Sequence, residues 1–403
     1  MANILEGVKV VEVGHVVAIP TAAAMMGDCG AEVIKVEALT GDQSRKFRGT
    51  DVNPGFYLHN RSKKGIAVDL KQEAGQAIVH KLVKNSDVFL TNYLQRSLEK
   101  LKMDYDTISK IKSDVVYGIV TAYGAKGPDR EMPGYDFAAG WARSGIQYML
   151  TAPGTVPPTS RPGIIDRVSS LQIFGGIMAA LYNKAKTGRG QRVEFNLYHT
   201  GVWMVGADIM DAIMGEPLRI NDPKKSANPF YDTYKTKDDR WLQLTAADRY
   251  AQASDPTGSA FWTAFCSAIE RPDLVDDPRF TTTALRQEHR QELMPIMEEV
   301  FASKTYTEWE KRLRENNLKY GPILSPLDVI TDPQALANDF FSEVDHPDIG
   351  RVKLINNPTY FYPDAASIKS PAPLLGQHNE EILKNIGYSS GEISQLKNDK
   401  VIL

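Results

Sequence analysis

Over its first 125 residues the chain alternates short β-branched runs with stretches of helical spacing, and this alternation constrains the fold most. Val8 to Val13 is a β-branched run stopped by Gly14, Ile19 to Met26 has helical composition, and Glu32 to Glu37 (EVIKVE) reads as a second strand. Lys71 to Lys84 carries apolar residues at helical spacing, and Asp87 to Thr91 follows as a strand. Leu98 to Lys112 reads as helix and Val115 to Tyr123 as a further strand. Joining parallel strands takes a crossover long enough to hold a helix, so this order predicts an α/β fold with a helix-covered parallel sheet. Leu171 to Lys186 is the next clear helix, stopped by Thr187-Gly-Arg-Gly190, and Arg192 to Asn196 a further strand.

At 403 residues the chain exceeds one ordinary domain. Three stretches read as linkers: Ala152–Gly163, Glu216–Phe230 and Tyr320–Pro333. Between the last two lies a more polar segment that opens with strand-like Trp241 to Thr245 and continues with helices over Gln291–Phe301 and Thr307–Asn316. The expected organisation is a large domain over 1–215, a small inserted domain over 228–317, and a return to the large domain over 326–403.

Composition excludes several classes. A formal net charge of −3 argues against nucleic acid as a main partner, which favours a strongly basic face. The apolar stretches are broken by charge, Gly or Pro well short of the roughly 18 residues a membrane span needs. The opening Met-Ala-Asn-Ile-Leu-Glu-Gly lacks the basic start and apolar core of a signal peptide. Cys29 and Cys266 have neither metal-type nor redox-type spacing, so a cytoplasmic, reducing location is expected. There is no G-x-G-x-x-G after a strand, no phosphate-binding G-x-x-x-x-G-K-[ST], no H-E-x-x-H, no C-x-x-C and no G-x-S-x-G. The seven histidines (His15, His59, His80, His199, His289, His346, His378) have no ligand spacing and are expected in structural or surface roles; no metal is expected.

Two features point to chemistry. Asp166 follows a Pro/Gly-rich approach and directly precedes the apolar helix from Leu171. An acid at a helix mouth is, taken alone, most simply an N-cap that satisfies orphan backbone donors. The second feature is a basic cluster of Arg45, Lys46, Arg48, Arg61, Lys63 and Lys64, with Arg96 and Lys100 past the next strand. It reads either as a solvated basic face or as a site for a polyphosphorylated ligand at the carboxyl edge of the sheet.

A set of ordered segments decides between these readings. Leu5-Glu-Gly-Val-Lys-Val-Val-Glu12, Gly30-Ala-Glu-Val-Ile-Lys-Val-Glu37 with Gly41-Asp42, Asn60-Arg-Ser-Lys-Lys-Gly-Ile-Ala-Val-Asp-Leu70 and Asp87-Val-Phe-Leu-Thr-Asn92 come first. Tyr123-Gly-Ala-Lys-Gly-Pro128, Gly134-Tyr-Asp136, Thr187-Gly-Arg-Gly-Gln191 and Pro371-Ala-Pro-Leu-Leu-Gly-Gln-His378 follow. Together, in this order, they resemble the family III (CaiB/BaiF) CoA-transferases over nearly the whole chain. Around Pro157-Pro158, Asp166 and Asn228 to Asp239 the likeness is greatest to clostridial 2-hydroxyacyl and aryl-lactate CoA-transferases.

The resemblance implies a Rossmann-like large domain, a smaller domain and an interlocked homodimer. It implies coenzyme A as acyl-CoA co-substrate, and Asp166 as the covalent nucleophile. Lys100 matches a CoA-phosphate contact, Arg45 and the stretch Lys63, Lys64 to Ile66 match segments that hold the nucleotide end of CoA, and Val16 matches a residue against the cofactor. The acceptor implied is a branched or aromatic 2-hydroxy acid, primed for dehydration in an amino-acid-fermenting cell. Alternatives within the fold are an acyl-CoA racemase and a transferase for another acid such as carnitine. The chain has Val17 where formyl and oxalyl enzymes carry a glutamine, and Tyr135 where racemases carry a histidine. A carboxylate with the ordinary pKa of about 3.9 is ionised at neutral pH and needs no separate base. Ile164, Ile165, Trp141, Tyr148 and Met149 suit an apolar acyl pocket or plain core equally.

Overall fold

A computed structural model describes residues 3–49, 53–218, 228–245, 258–363 and 366–403. The chain divides into two compact units, one of residues 1–150, 157–219 and 334–403, the other of residues 151–156 and 220–333. The first unit opens with β1 (Lys9–Val13), α1 (Ala18–Asp28), β2 (Glu32–Glu37), α2 (Pro54–Asn60), β3 (Lys64–Ala67), α3 (Glu73–Lys84) and β4 (Val88–Thr91). It continues through α4 (Gln95–Lys100), α5 (Tyr105–Ile111), β5 (Val116–Thr121), α6 (Ile146–Met149), α7 (Ile164–Thr187), β6 (Gln191–Asn196), α8 (Leu197–Met204) and α9 (Gly206–Met214).

The six strands form one parallel sheet in the order β3-β2-β1-β4-β5-β6. Both faces are apolar because both are covered, so the central strands send alternate side chains into two cores. Val10, Val33, Leu90, Val116 and Val120 join the core beneath α1 and α7. Val11, Val13, Val36, Ile66, Phe89 and Tyr117 join the core on the other face, with Ile78 and Val79 of α3. Strand order reverses between β1 and β4, and open α/β sheets hold ligands outside the carboxyl ends of the strands at such a point.

The expected segment Leu98 to Lys112 is two helices, because the chain turns through Lys102 at φ +55°. α2 and β3 lie in the Lys/Arg-rich stretch that showed no period. α7 has 24 residues and starts before Leu171, and by length and composition it could cross a membrane, contrary to the expectation that no apolar stretch is long enough. In the fold one stripe of it, Ile165, Ile173, Ile177 and Ala180, is buried in the first core.

In the second unit β7 (Thr233–Lys235), β8 (Trp241–Leu244) and, later in the chain, β9 (Tyr320–Pro322) make an antiparallel sheet. Between β8 and β9 come α10 (Ser259–Ala268), α11 (Thr283–Glu288), α12 (Arg290–Ala302) and α13 (Tyr306–Glu315). Its core is aromatic, built on Phe230, Trp262, Phe265, Phe280, Phe301 and Trp309. The segment Tyr320–Pro333, expected as a linker, holds β9 and α14 (Pro326–Val329), the latter started by a Ser325–Asp328 capping box. The chain then forms α15 (Pro333–Ala337), the hairpin β10 (Phe341–His346) and β11 (Gly350–Ile355), and the helices α16 (Asn379–Asn385) and α17 (Ser390–Asn398).

Candidate active site

Above the reversal point lies a cleft of about 80 Å³. Its wall is the β1–α1 turn from His15 to Ala18, Asn92 to Leu94 after β4, Val120 to Ala122 at the end of β5, Gly134, Tyr135, Leu197 and Asp166. Ile164, Ile165, Trp141, Tyr148 and Met149 do not line it; Ile165 is core and Tyr148 is largely exposed. His15 does line it, against the expectation of a structural or surface role for every histidine.

Asp166 occupies the third position of α7, and the N-cap is Gly163, which makes no side-chain cap and sits at φ +77°, a conformation glycine adopts freely. The capping carboxylate comes from elsewhere. Asp136 Oδ2 accepts the Gly163 amide at 2.8 Å, and the amides of Phe137 and Ile165 also bond to Asp136. Residues Phe137–Ala142 form a π-helical turn, and Gly140 lets it approach α7: a Cβ there would fall 2.3 Å from Ile165 Cγ2. The plain-cap reading of Asp166 is thus corrected. Among the described residues none donates a hydrogen bond to its carboxylate, while Asp136 does the capping.

Burial first, and the Asp136 charge second, push Asp166 up to about 7, against the pull of Arg167. This corrects the expectation of a fully ionised aspartate at neutral pH. A carboxylate desolvated beside a second carboxylate keeps its proton longer, and as an anion it is more nucleophilic than an ordinary one. The Ser170 hydroxyl lies within hydrogen-bonding distance of the Asp166 carbonyl (2.8 Å) and the Ala18 carbonyl (2.9 Å), linking the first turn of α7 to that of α1.

The opposite wall of the cleft is strained. Val16 has φ +68°, which for a β-branched residue costs on the order of 1–3 kcal/mol. The turn's polar groups are held by side chains from other elements. Lys35 Nζ donates to the Gly14 carbonyl at 3.0 Å; the Asn92 amide accepts from His15 N at 3.1 Å and donates to His15 O at 2.8 Å. Asp42 Oδ1 accepts from Val16 N at 3.4 Å. Beneath the turn, Glu12 and Lys35 are register partners on β1 and β2, both 0% exposed. Glu12 takes Lys35 at 3.0 Å and Lys63 at 2.6 Å, and Lys35 also reaches Asp42 at 2.9 Å. Burial alone would neutralise both lysines. For Lys35 the charges of Glu12, Asp42 and Glu37 overcome it and raise the pKa, whereas Lys63, with Glu12 as its main anion and Lys35 nearby, is pulled down to about 8.

The residues expected to hold CoA therefore divide. Val16 lines the cleft. Lys63 is buried, its ammonium taken by Glu12, the Pro20 carbonyl and Asn60, so its charge is not available to a phosphate. Ile66 is wholly buried in β3. Lys64 pairs with Glu381 at 2.7 Å, and Arg45 grips Glu37 through two 2.7 Å bonds. Arg61 pairs with Asp28 at 2.7 Å. Four of the cluster's cations are thus paired with carboxylates, three of them across more than 30 residues, so it is not simply a solvated face. Lys46, Arg96 and Lys100 are exposed, Lys100 in the last turn of α4, the helix that follows cleft residue Leu94. The Arg48 side chain lies outside the described residues. Sequence reasoning missed Glu12, Lys35, Asp42, Asn92 and Asp136 as site-shaping residues, although Asp42, Asn92 and Asp136 each end a segment that carries the resemblance.

A Rossmann-ordered sheet with a half-buried aspartate at its switch point and no dinucleotide glycine fingerprint defines a class, and comparison with known proteins names it. CoA-transferase family III matches residues 5–379, and the chain belongs to this family: it is a CoA-transferase, moving CoA from an acyl-CoA to a carboxylate. It is 36% identical to the (R)-2-hydroxy-4-methylpentanoate CoA-transferase of Clostridioides difficile, over 99% of each chain. It is 32% identical to the cinnamoyl-CoA:phenyllactate CoA-transferase of Clostridium sporogenes, over 100% of this chain and 98% of that one. Among solved structures, a CaiB/BaiF family protein from Brucella suis superimposes with a TM-score of 0.83 at 26% identity, covering 95% of this chain and 99% of that one.

Proposed function

We propose that Asp166 is the covalent nucleophile and that the acceptor is a 2-hydroxy acid with a branched or aromatic tail. The observation that carries the first part is the Asp166 carboxylate itself: free of donors among the described residues, partly desolvated and lining the cleft at the sheet's reversal point. For the second part the support is the likeness to the two clostridial enzymes, together with a wall of Val16, Val17, Tyr93, Val120, Tyr135 and Leu197 around it.

The reaction runs by two kinds of acyl intermediate. An Asp166 oxygen attacks the donor thioester carbonyl, the C–S bond breaks, and the CoA thiolate leaves with the electron pair, giving an aspartyl–acyl anhydride. The thiolate then attacks the Asp166 carbonyl and expels the donor carboxylate, giving an aspartyl–CoA thioester. The acceptor carboxylate attacks that carbonyl, the C–S bond breaks and the CoA thiolate leaves, giving a second anhydride. The thiolate then attacks the acceptor carbonyl of that anhydride, forming the new acyl-CoA and expelling the Asp166 carboxylate. Lys100 and the exposed Lys46 and Arg96 are the cations we assign to the CoA phosphates; Arg45 and Lys64 are already paired with Glu37 and Glu381. An anhydride hydrolyses readily, so a cleft of this small size, which leaves little room for water beside an acyl group, suits the chemistry.

The test is peptide mass spectrometry after incubation with an acyl-CoA panel and hydroxylamine, without acceptor. Hydroxamate on the peptide carrying Asp166 is expected with branched or aromatic acyl-CoAs. An unmodified peptide across the panel removes Asp166 from this role.

We also infer a homodimer. α9 buries none of its residues although it is apolar at Ile209, Met210, Ile213 and Met214, and the neighbouring Trp203 is 81% exposed. Contiguous apolar surface of this kind marks an interface in a soluble protein, and the resemblance supplies a second copy as its occupant. A monomeric mass in sedimentation at micromolar concentration would reject this.

A further inference from the structure

We propose that Asp42 is a positioning residue for acyl transfer: through the Val16 amide it holds the β1–α1 turn in the left-handed conformation that shapes the wall of the Asp166 cleft. The inference rests on the reading of Asp166 as nucleophile.

Three observations converge on it. First, Val16 is at φ +68°, where a branched side chain is disfavoured, and its neighbours His15 and Val17 both line the cleft with Asp166. Relaxation of Val16 to negative φ swings both of those neighbours. Second, Asp42 is oriented on every side. Its Oδ1 accepts the Ser44 amide at 2.8 Å, the Ser44 hydroxyl at 2.7 Å and the Val16 amide at 3.4 Å, while Oδ2 accepts Lys35 Nζ at 2.9 Å. The Val16 contact is long for a hydrogen bond but goes to a full carboxylate charge, which strengthens it. Third, the same Lys35 ammonium reaches back to the Gly14 carbonyl at 3.0 Å, so one buried ion pair grips the turn at two of its residues.

Stability alone does not explain this arrangement. Buried ion pairs contribute little net stability compared with apolar residues of the same volume, and apolar side chains would fill the space under the turn as well. What they cannot supply is a charged acceptor for an amide that points the unfavourable way. Strain of this kind persists only where its surroundings over-determine it, and it gathers at working sites.

The experiment compares Asp42→Asn with the wild type in single-turnover trapping of Asp166 by hydroxylamine, using cinnamoyl-CoA and 4-methylpentanoyl-CoA as donors. CoA affinity is measured separately by calorimetry. Asp42→Asn is expected to slow trapping by roughly ten- to a hundredfold, the scale of an ångström-level misplacement, with a smaller loss of CoA affinity, since Val16 is itself a residue expected against the cofactor. Adding Val16→Gly to Asp42→Asn is expected to recover most of the loss, because glycine enters the left-handed region without strain. An undiminished trapping rate in Asp42→Asn overturns the proposal, and so does a loss that Val16→Gly leaves untouched. If Asp42→Asn does not fold, Ser44→Ala removes one of the groups that orient Oδ1, and a several-fold loss recovered by Val16→Gly is the expected result. Wild-type protein that is never trapped at Asp166 refutes the nucleophile assignment itself, a result distinct from a failure of Asp42.

Discussion

Asp136 acts on Asp166 from the mouth of the same helix: its Oδ2 holds the Gly163 amide at 2.8 Å, and its charge is the second cause, after burial, of the raised pKa of Asp166. One carboxylate thus caps the helix and delays ionisation of the other. The cap is favourable, since two amides at the N-terminus of α7, those of Gly163 and Ile165, find an acceptor. The delay has a cost in reactive fraction and a gain in nucleophilicity.

The rate of Asp166 trapping is therefore expected to rise with pH and level off above about 7, falling about tenfold per unit well below that point. Asp136→Asn keeps an oxygen for Gly163 but removes the charge, so the midpoint of the pH–rate profile moves down. A profile that is flat from pH 5 to 8, or a midpoint indifferent to Asp136→Asn, contradicts the assignment of causes.

Stability carries the same signature with the opposite sign. Between its unfolded value near 3.8 and about 7, Asp166 holds a proton in the folded protein that it releases on unfolding. Stability falls as pH rises through that window and is level above it, by on the order of 4 kcal/mol at most. Asp166→Asn removes this slope. Its melting temperature is expected to exceed that of the wild type at pH 8, with the gap closing by pH 5, and scanning calorimetry at the two pH values checks this.

Lys100→Glu is expected to weaken CoA binding by roughly ten- to a hundredfold, the scale of a lost charge-assisted hydrogen bond, with more loss at low salt than at high. Its melting temperature stays put, because Lys100 is exposed at the end of α4. Unchanged affinity in calorimetry takes Lys100 out of the site.

Glu12→Ala leaves Lys35 with Asp42 but strips Lys63 of the only carboxylate that pairs with it among the described residues, in a site where both side chains are 0% exposed. Removing one partner of a buried ion pair costs about 3–5 kcal/mol, and the denaturant midpoint of the first unit is expected to fall accordingly. A loss below about 1 kcal/mol would mean that water reaches Lys63.

The sheet was legible because β-branched runs alternate with stretches of helical spacing; β2 runs over the very residues expected. β3 was not legible, being four residues long and opening on Lys64 in a run of cations. The start of α7 was hidden for a different reason. Its cap is Asp136, 27 residues upstream of Gly163, so no local signal marks Ile164 as a helix start. The basic cluster shows the same difficulty at larger range: Arg61 meets Asp28 and Lys63 meets Glu12 across 33 and 51 residues. Periodicity reports neighbours in sequence, and these pairs are neighbours only in the folded sheet. Asp166 stood out through a family likeness, and its environment became visible only in three dimensions.

The β1–α1 turn is fastened by Lys35, Asp42 and Asn92, each from a different stretch of chain, with a valine instead of a glycine at its left-handed position. Its four residues are consequently not a portable unit. Grafted onto another scaffold, Gly14 to Val17 would bring their side chains and leave their shape behind, and anyone redesigning the acyl preference at Val17 is editing a loop whose template is written on other strands.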